Sequence, residues 1–387
     1  MSQRLKTDRI LFGAVVCMVA FGLIMLYSAS SVNAQMDPKF HSSWHFVIRQ
    51  LIWAAVSAGV MMWLKNRDYR KFQERSVAFG VVGVVLLLLL AVYFVDSAHH
   101  RWLRLGGPVG VQPSELAKPA LVVFLAFFVS WRARAINNPR YTLAPAAIAV
   151  GFVIFGVVVA DLGTAVVLGM AAAAVFFVAG LEWRYCGLAA GIAFCGVLVF
   201  ICIEPYRMGR VVRFFDPDLT KIEKIDPGGR LKAYIQSHMD KSLATHDTNY
   251  QLEQSKIAIG AGGVTGLGLM NGRQKLLYLP EAHTDFIYAV VGEELGMIGS
   301  VGLLLGFGVL FWSGLRAAYK MGDDFGRYLA LGATIVVVVQ GLMNMTVVLG
   351  IMPTKGIPLP MVSYGGSSLL STLALLGILM NVAEHAG

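Results

Sequence analysis

Ten apolar runs, each close to the length that crosses a bilayer, constrain this chain more than any other feature of its sequence. A membrane-spanning helix needs roughly 20 predominantly apolar residues, and a backbone inside hydrocarbon must satisfy its own polar groups. The runs cover residues 10–27, 45–64, 77–95, 116–131, 143–160, 163–180, 186–203, 286–313, 328–350 and 367–382. Charged residues are 14% of the 387, against about a quarter in soluble domains. The sequence predicts an all-α polytopic membrane protein with about ten transmembrane helices, forming one domain over residues 1–387.

Basic residues are distributed unequally between the two sides of this predicted bundle. With the N-terminus inside, fifteen Lys and Arg fall in short connections on the cytoplasmic side. The short outer loops then carry chiefly Lys39, Arg101, Arg104 and Lys355. Because short cytoplasmic loops are enriched in Lys and Arg, both termini are predicted to be cytoplasmic.

One long connection, residues 204–284, joins the seventh and eighth runs. It carries eleven Lys and Arg, but long loops cross the membrane largely regardless of their charge. It is therefore predicted to be one large extracytoplasmic loop. Its glycines do not form a dinucleotide-binding fingerprint, because GxGxxG starting at Gly260 would need glycine where Thr265 stands.

The formal net charge of +9 does not indicate a nucleic-acid partner. The basic residues lie mostly in short connections between apolar runs, not beside clustered aromatic residues. Anionic lipid head groups fit such charge better. The four cysteines lie in or at the edge of apolar runs without a CxxC pair, so neither a disulfide framework nor a zinc site is expected.

A carboxylate stands where the polar segment enters the eighth apolar run. Asp285 immediately precedes Phe286 and follows His283 by two residues. Such a group is costly at the edge of hydrocarbon and usually faces a polar cavity, so Asp285 is the candidate catalytic base. The alternative is an acid favoured by the dipole of the following helix. His283 is a second candidate base or phosphate donor, although an interfacial histidine is often merely solvated.

Three further polar groups stand at predicted outer ends of spans. Glu115 and Lys118 are three residues apart and share a helix face, either as a functional pair lining a cavity or as a self-neutralising pair. Arg101 lies in the loop before them. Asp161, between the fifth and sixth runs, is a candidate site residue and equally a helix cap.

The segment 353–368 precedes the last run and cannot be regular helix, because it holds three prolines and three glycines. Irregular backbone at membrane depth is tolerated only against protein or a water-filled cavity. We therefore predict a re-entrant or cavity-lining loop into which Lys355, Ser363 and Tyr364 can point. All these polar groups fall on the predicted outer side, which indicates a site there for a membrane-bound substrate.

Three motifs resemble the SEDS family of peptidoglycan glycosyltransferases over nearly the whole chain. They are QPSELAK at 112–118, LPEAHTDFIYAVVGEELG at 279–296 and PLPMVSYGGSSLL at 358–370. PTKG at 353–356 and the PEAHTDF form are more similar to the cell-division branch than to the elongation branch. One departure is Val159-Ala160 before Asp161, where the family often has Gln-Pro.

The resemblance implies polymerisation of lipid II into β-1,4 glycan at the outer face of the bacterial inner (cytoplasmic) membrane, at the division septum. It implies undecaprenyl-pyrophosphate-linked glycan as the growing strand. It also implies a class B penicillin-binding protein and other divisome membrane proteins as partners. The family's essential aspartate falls on Asp285, its cavity Glu and Lys on Glu115 and Lys118, and its aspartate after the fifth span on Asp161.

The chemistry expected on this basis is an inverting glycosyl transfer with Asp285 as base. Lys118, Arg101 and Lys355 are the candidates for stabilising the pyrophosphate. A divalent cation, Mg²⁺ or Mn²⁺, is compatible with that task, but the sequence contains no dedicated metal site.

Three alternatives stay open at this point: an elongation-type polymerase, a lipid II flippase or other transporter, and a noncatalytic scaffold for the transpeptidase. Charges within spans also fit a transporter. A transporter, however, should have midplane sites reachable from both faces, often with inverted repeats. Here the polar groups lie at one edge.

Overall fold

The computed structural model describes residues 8–36, 42–96, 101–104, 110–203, 248–276, 278–353 and 355–386, with helical positions 208, 211, 212 and 214. Eleven α-helices form this described part: α1 Arg9–Met36, α2 His45–Lys65, α3 Arg75–Val95, α4 Pro113–Arg132, α5 Ala144–Ala160, α6 Leu162–Val178, α7 Trp183–Ile203, α8 Thr248–Gly262, α9 Ile287–Lys320, α10 Asp324–Val348 and α11 Gly366–His385. Short 3₁₀ turns lie at Tyr69–Gln73 and Ala133–Ala135, and a π-helical turn at Pro139–Leu143. Strands β1 (Leu103–Arg104) and β2 (Gly110–Val111) pair antiparallel, Leu103 opposite Val111.

The ten apolar runs of the sequence coincide with α1 to α7 and α9 to α11. In the described chain, nine of these helices are long and apolar enough to cross a membrane. The tenth, α6, is apolar but has only 17 residues. Helix α1 continues to Met36, beyond the apolar run that ended at residue 27. The predicted all-α membrane fold is confirmed.

Part of the predicted large loop is helical. Its polar portion, residues 218–247, lies outside the described residues. Helix α8 follows and lies along α9. The Ser255 hydroxyl of α8 donates to the carbonyl of Val348 at 2.9 Å, so α8 is also fastened to the end of α10.

Helices α4, α10 and α11 form the centre of the bundle. In their most apolar stretches 67%, 72% and 78% of residues are buried, against 0% in α7. Helix α10 packs against α4, α6, α9 and α11, while α2 packs along α11. Polar residues on the inner helices therefore lie inside protein and can be reached only where loops interrupt the packing.

Helix α9 is broken near its beginning. Gly296 adopts φ 64° and ψ −158°, a conformation that favours glycine. The segment after α8 docks into the break. The amides of Leu267 and Gly268 donate to the carbonyls of Glu293 and Glu294 at 3.0 and 2.9 Å. These bonds replace intrahelical ones, which makes the kink a specific feature.

The same break holds two carboxylates, those of Glu293 and Glu294. Glu294, 0% exposed, pairs with Lys275 at 2.5 Å and accepts from the Ser28 hydroxyl of α1 at 2.6 Å. Glu293 accepts from the Arg273 amide at 2.7 Å. Together they fasten residues 270–275 to α9, directly ahead of the candidate base.

At the opposite end of the bundle, Tyr69 links the turn before α3 to helices α10 and α11. Its hydroxyl donates to Asp323 at 2.6 Å, the residue that caps α10 through the Gly326 amide. Its amide donates to Asn381 of α11 at 3.2 Å. Burial, together with the hydrogen bond to Asp323, raises the pKa of Tyr69 to about 12. The phenol therefore remains a hydrogen-bond donor at any physiological pH.

Candidate active site

Asp285 lies in the turn just before α9, against the irregular loop that precedes α11. Asn344 of α10 fixes this junction, because its amide donates to the carbonyls of Asp285 and Ile357, both at 2.7 Å. The Asp285 carboxylate approaches Gly356 so closely that a Cβ there would lie 2.6 Å from Oδ2. Asp285 is half-buried. Its backbone is held by other residues, while the residue as a whole keeps partial exposure to solvent.

The loop preceding α11 is non-helical over its described residues 353 and 355–365, as the prolines and glycines predicted. Ser363 fastens it to the Asp285 turn by donating to the carbonyl of Thr284 at 2.5 Å. The same hydroxyl accepts from the Leu359 amide at 2.8 Å. Ser363 is buried, so in this structure it holds the loop in place, and its predicted substrate contact stays a prediction.

His283 and Tyr364 belong to an aromatic cluster next to Asp285. The His283 ring lies 4.5 Å from that of Phe46 and 5.9 Å from that of Tyr364. The Tyr364 amide also donates to the carbonyl of His283 at 3.0 Å. Burial lowers the pKa of His283 despite the opposing charge of Glu281, so the imidazole is neutral at pH 7.

This burial predicts an acid-sensitive structure. Since His283 binds a proton less readily when folded than at its ordinary pKa of about 6.5, protonation favours the unfolded chain. Stability should therefore fall as the pH drops below about 6.5. We expect the midpoint temperature of thermal unfolding in detergent to be lower at pH 5.5 than at pH 7.5. The difference should be smaller in His283→Gln. Identical pH profiles for the two proteins would remove His283 as the cause.

Asp161 forms the predicted helix cap and also an ion pair, while its predicted part in the substrate site stays a prediction. As the N-cap of α6 it accepts from the Gly163 amide at 2.9 Å and from the Thr164 hydroxyl at 2.8 Å. Lys355 lies 3.4 Å from its Oδ1. Burial raises the pKa of Asp161, but the charges of Lys355 and Arg101 and the hydrogen bond from Thr164 outweigh it, and the net pKa is lowered. Asp161 is an anion at neutral pH.

Asp161 also interrupts the helical path without the Gln-Pro pair that is common in the family. Its extended backbone, φ −155° and ψ 99°, ends α5 and starts α6. The helical path is therefore broken here even though Val159-Ala160 precedes Asp161. Proline is not needed here, because the capping carboxylate stabilises the start of α6.

Arg101 provides a second positive group near Asp161. Its amide donates to Asp96 at 3.1 Å, which holds the strand-like segment 101–104 at the end of α3. Its side-chain Nε is buried and has no hydrogen-bond acceptor among the described residues. Buried donors are normally paired, so this Nε–H group is available to donate to an anion.

Glu115 and Lys118 form an enclosed pair, each 1% exposed. Lys118 lies 2.6 Å from the Glu115 carboxylate and 2.6 Å from the Gln340 amide oxygen. Ser371 of α11 also donates to Glu115 at 3.1 Å, and Gln340 donates to the carbonyl of Pro358 at 2.9 Å. The pair thus connects the inner helices to the loop below Asp285. Its predicted contact with substrate stays a prediction.

Sequence reasoning missed the residues that hold this site together, above all Gln340 and Asn344. Both lie in the apolar stretch VVVVQGLMNM of α10. Their spacing of four residues places them on one helix face, which was the available signal. Neither carries charge, so neither stood out among the polar groups of the spans.

The geometry combines a half-buried aspartate, Asp285, with cationic side chains at one end of the bundle. Asp285 can accept a proton, while Arg101 and Lys355 lie where they can attract an anion. Among the described residues, no group of three or more His, Cys, Asp and Glu is placed to hold a metal ion. The arrangement suits removal of a proton next to a negatively charged leaving group.

Comparison with known proteins identifies the family of this chain. The model of the FtsW, RodA and SpoVE family of cell cycle proteins matches residues 8–387. This chain belongs to that family. A probable peptidoglycan glycosyltransferase FtsW of Geobacter sulfurreducens is 36% identical over 98% of this chain and 96% of its own. Stage V sporulation protein E of Bacillus subtilis is 34% identical over 100% and 99%.

Solved structures of the FtsW, RodA and SpoVE family share the fold. A chain in a peptidoglycan synthase complex that coordinates polymerization and crosslinking has a TM-score of 0.73 at 29% identity, covering 99% of both chains. The rod shape determining protein RodA of Thermus thermophilus has a TM-score of 0.66 at 26% identity, covering 98% of this chain and 97% of its own. Family and apolar helices together identify a multi-pass membrane protein.

Proposed function

We propose that this protein is a peptidoglycan glycosyltransferase that polymerises lipid II into β-1,4 glycan strands. The observation that carries the proposal is the half-buried Asp285, whose backbone is held by Asn344. Its carboxylate lies against Gly356, the residue that follows Lys355 of the Lys355–Asp161 ion pair. Relatives along the whole chain carry the name peptidoglycan glycosyltransferase. The site then belongs at the outer face of the inner membrane, as the distribution of Lys and Arg predicts.

In this mechanism Asp285 accepts the proton of the 4-hydroxyl group of an incoming lipid II. The freed oxygen forms a bond to the anomeric carbon of the growing chain. The bond from that carbon to undecaprenyl pyrophosphate breaks, and the pyrophosphate leaves with the electron pair. Attack opposite the α-linked leaving group produces a β linkage, so the transfer is a single inverting step.

Arg101 and Lys355 are assigned to the leaving pyrophosphate. Arg101 has a buried donor without an acceptor in the described chain, and Lys355 stands next to Gly356, over which the Asp285 carboxylate lies. Lys118 is enclosed, so it is assigned a supporting role through Gln340 and the loop at Pro358. A Mg²⁺ or Mn²⁺ ion sharing the task would have to be bound chiefly by the pyrophosphate oxygens.

Lys355→Met should lower the rate of polymerisation about 10- to 100-fold, the usual worth of one charge-assisted bond to an anion. Lys355→Arg should retain most activity, because it keeps the charge. Lys320→Met, at the exposed end of α9, is the matched control and should be unaffected. Equal rates for Lys355→Met and the control would exclude Lys355 from pyrophosphate binding.

A role in division is favoured over one in elongation. FtsW relatives at 36% identity are more similar to this chain than the solved RodA at 26%. The proposed partners are a class B penicillin-binding transpeptidase, which crosslinks the strands, and other membrane proteins of the septum. The fold shared with the synthase complex supports such a partner.

Polymerisation of labelled lipid II tests the proposal. Purified protein with its cognate transpeptidase, in detergent, should produce long glycan that lysozyme digests. No glycan, combined with transfer of lipid II across vesicle bilayers, would instead support the flippase alternative. No activity in either assay would favour the scaffold.

A further inference from the structure

A cavity of about 370 Å³ lies at the other end of α4 and is unrelated to the proposed catalytic site. Its lining comes from the turn before α3 and from the last residues of α4: Arg70, Gln73, Glu74, Phe127, Ser130 and Trp131. Glu115 and Trp131 are sixteen residues apart on α4, which is about 24 Å along a helix axis. By the predicted topology, this cavity opens at the cytoplasmic surface of the membrane.

Aromatic rings hold guanidinium groups next to this cavity. The Arg132 and Arg75 guanidinium carbons lie 4.3 and 5.2 Å from the Trp131 ring. Arg132 also lies 3.6 Å from the Tyr141 ring and donates to the Tyr141 carbonyl at 2.7 Å. Such cation–π contacts position the guanidinium planes and leave N–H groups at their edges able to donate.

One of these donors is buried without an acceptor. The Nε of Arg132 has no hydrogen-bond partner among the described residues. Since an unpaired buried donor costs free energy, the simplest complement is an anion that reaches it. The Arg132 side chain is already fixed by its other contacts, so an anion would find this donor in place.

The charge around the cavity is strongly positive. Residues 65–75 contain five Lys and Arg against two acids, and residues 132–140 contain three Arg and no acid. Glu74 is the single carboxylate of the lining. Asp68, the other acid, accepts from the Arg70 amide at 3.0 Å and so caps its own turn.

Part of the cavity wall is apolar and continuous with the lipid-facing surface. Phe127 and Trp131 line it, and Trp131 is 47% exposed. A soluble phosphate would make no use of this apolar wall, whereas a phospholipid would place acyl chains along it. Basic pockets between transmembrane helices on the cytoplasmic side are suited to anionic head groups.

We propose that this cavity binds the phosphodiester head group of an anionic phospholipid. The phosphate oxygens accept hydrogen bonds from the guanidinium groups of Arg70, Arg75 and Arg132. Phe127 and Trp131 contact the beginning of the acyl chains. Such a lipid would tie the turn before α3 to the end of α4 at the membrane surface. The inference does not depend on the proposed glycosyltransferase activity.

Native mass spectrometry of the full-length protein can test this with phosphatidylglycerol and phosphatidylcholine of identical acyl chains. The wild type should retain phosphatidylglycerol preferentially. Arg70→Gln combined with Arg75→Gln should weaken that binding about 25-fold, at about fivefold per basic side chain. Ser130→Asp, which puts a carboxylate in the lining, should abolish the preference independently.

The matched control is Arg316→Gln combined with Lys320→Gln. Both residues are exposed near the end of α9 on the same predicted side, and the same charge is removed. Equal weakening by both double variants would reduce the effect to general surface charge and overturn the site. The site would also be overturned if the protein retained phosphatidylcholine as well as phosphatidylglycerol. The same holds if soluble glycerol phosphate competed with an affinity equal to that of the lipid.

Discussion

Asp285→Asn should fold normally and lose at least about 10²-fold in glycan polymerisation, because a positioned general base typically contributes 10²- to 10⁴-fold. Asparagine has nearly the shape of aspartate but cannot accept the proton of the sugar hydroxyl. The hydrogen bond from Asn344 goes to the backbone carbonyl of residue 285, so it survives the substitution. The measurement is the initial rate of glycan formation from labelled lipid II.

Asp324→Asn is the matched control for this variant. Asp324 is exposed at the start of α10 and pairs with Arg327 at 3.3 Å, at the other end of the bundle. It should polymerise at the wild-type rate. If Asp285→Asn polymerised at the same rate as Asp324→Asn, Asp285 would not be the base. The neutral His283 beside Asp285 would then become the next candidate. His283→Gln, measured in parallel, distinguishes these outcomes.

Lys275→Met should destabilise the protein by about 3–5 kcal/mol, the usual effect of removing one member of a buried ion pair. Lys275 and Glu294 have side chains only 2% and 0% exposed. Without Lys275, the Glu294 carboxylate would keep the Ser28 hydroxyl and the Met270 amide as donors but no compensating charge. The measurement is thermal unfolding in detergent.

A surface ion pair supplies the control for this substitution. Arg327 and Asp324 have side chains 39% and 49% exposed, so Arg327→Met should cost no more than about 1 kcal/mol. The double variant Lys275→Met with Glu294→Gln should be more stable than Lys275→Met alone, since it leaves no unpaired charge. Equal unfolding midpoints for Lys275→Met and Arg327→Met would show that the buried pair contributes little.

The two predictions test different parts of the site: the proposed base, and the buried ion pair that supports the segment ahead of it. Asp285 belongs to the proposed chemistry, and its loss should leave the unfolding midpoint unchanged. Lys275 and Glu294 fasten the segment ahead of Asp285 to the break in α9. Their loss should lower stability first and activity as a consequence.

The sequence by itself determined the number and positions of the membrane helices. Except in α1, which continues to Met36, the apolar runs are local and nearly as long as the helices themselves, since helical backbone satisfies its own polar groups in hydrocarbon. It also located Asp161 as a helix cap and most of residues 353–368 as irregular chain, although α11 begins at Gly366, inside that segment. Capping and proline chemistry act within a few residues of sequence.

Only the tertiary structure decided what the polar residues do inside the bundle. Ser28 and Glu294 are 266 residues apart in the chain yet hydrogen-bonded, and Asn344 joins Asp285 to Ile357 across three separate segments. No local pattern encodes such partners. The break at Gly296 was hidden for the same reason: glycine permits the conformation, but the amides that stabilise it come from residues 267 and 268.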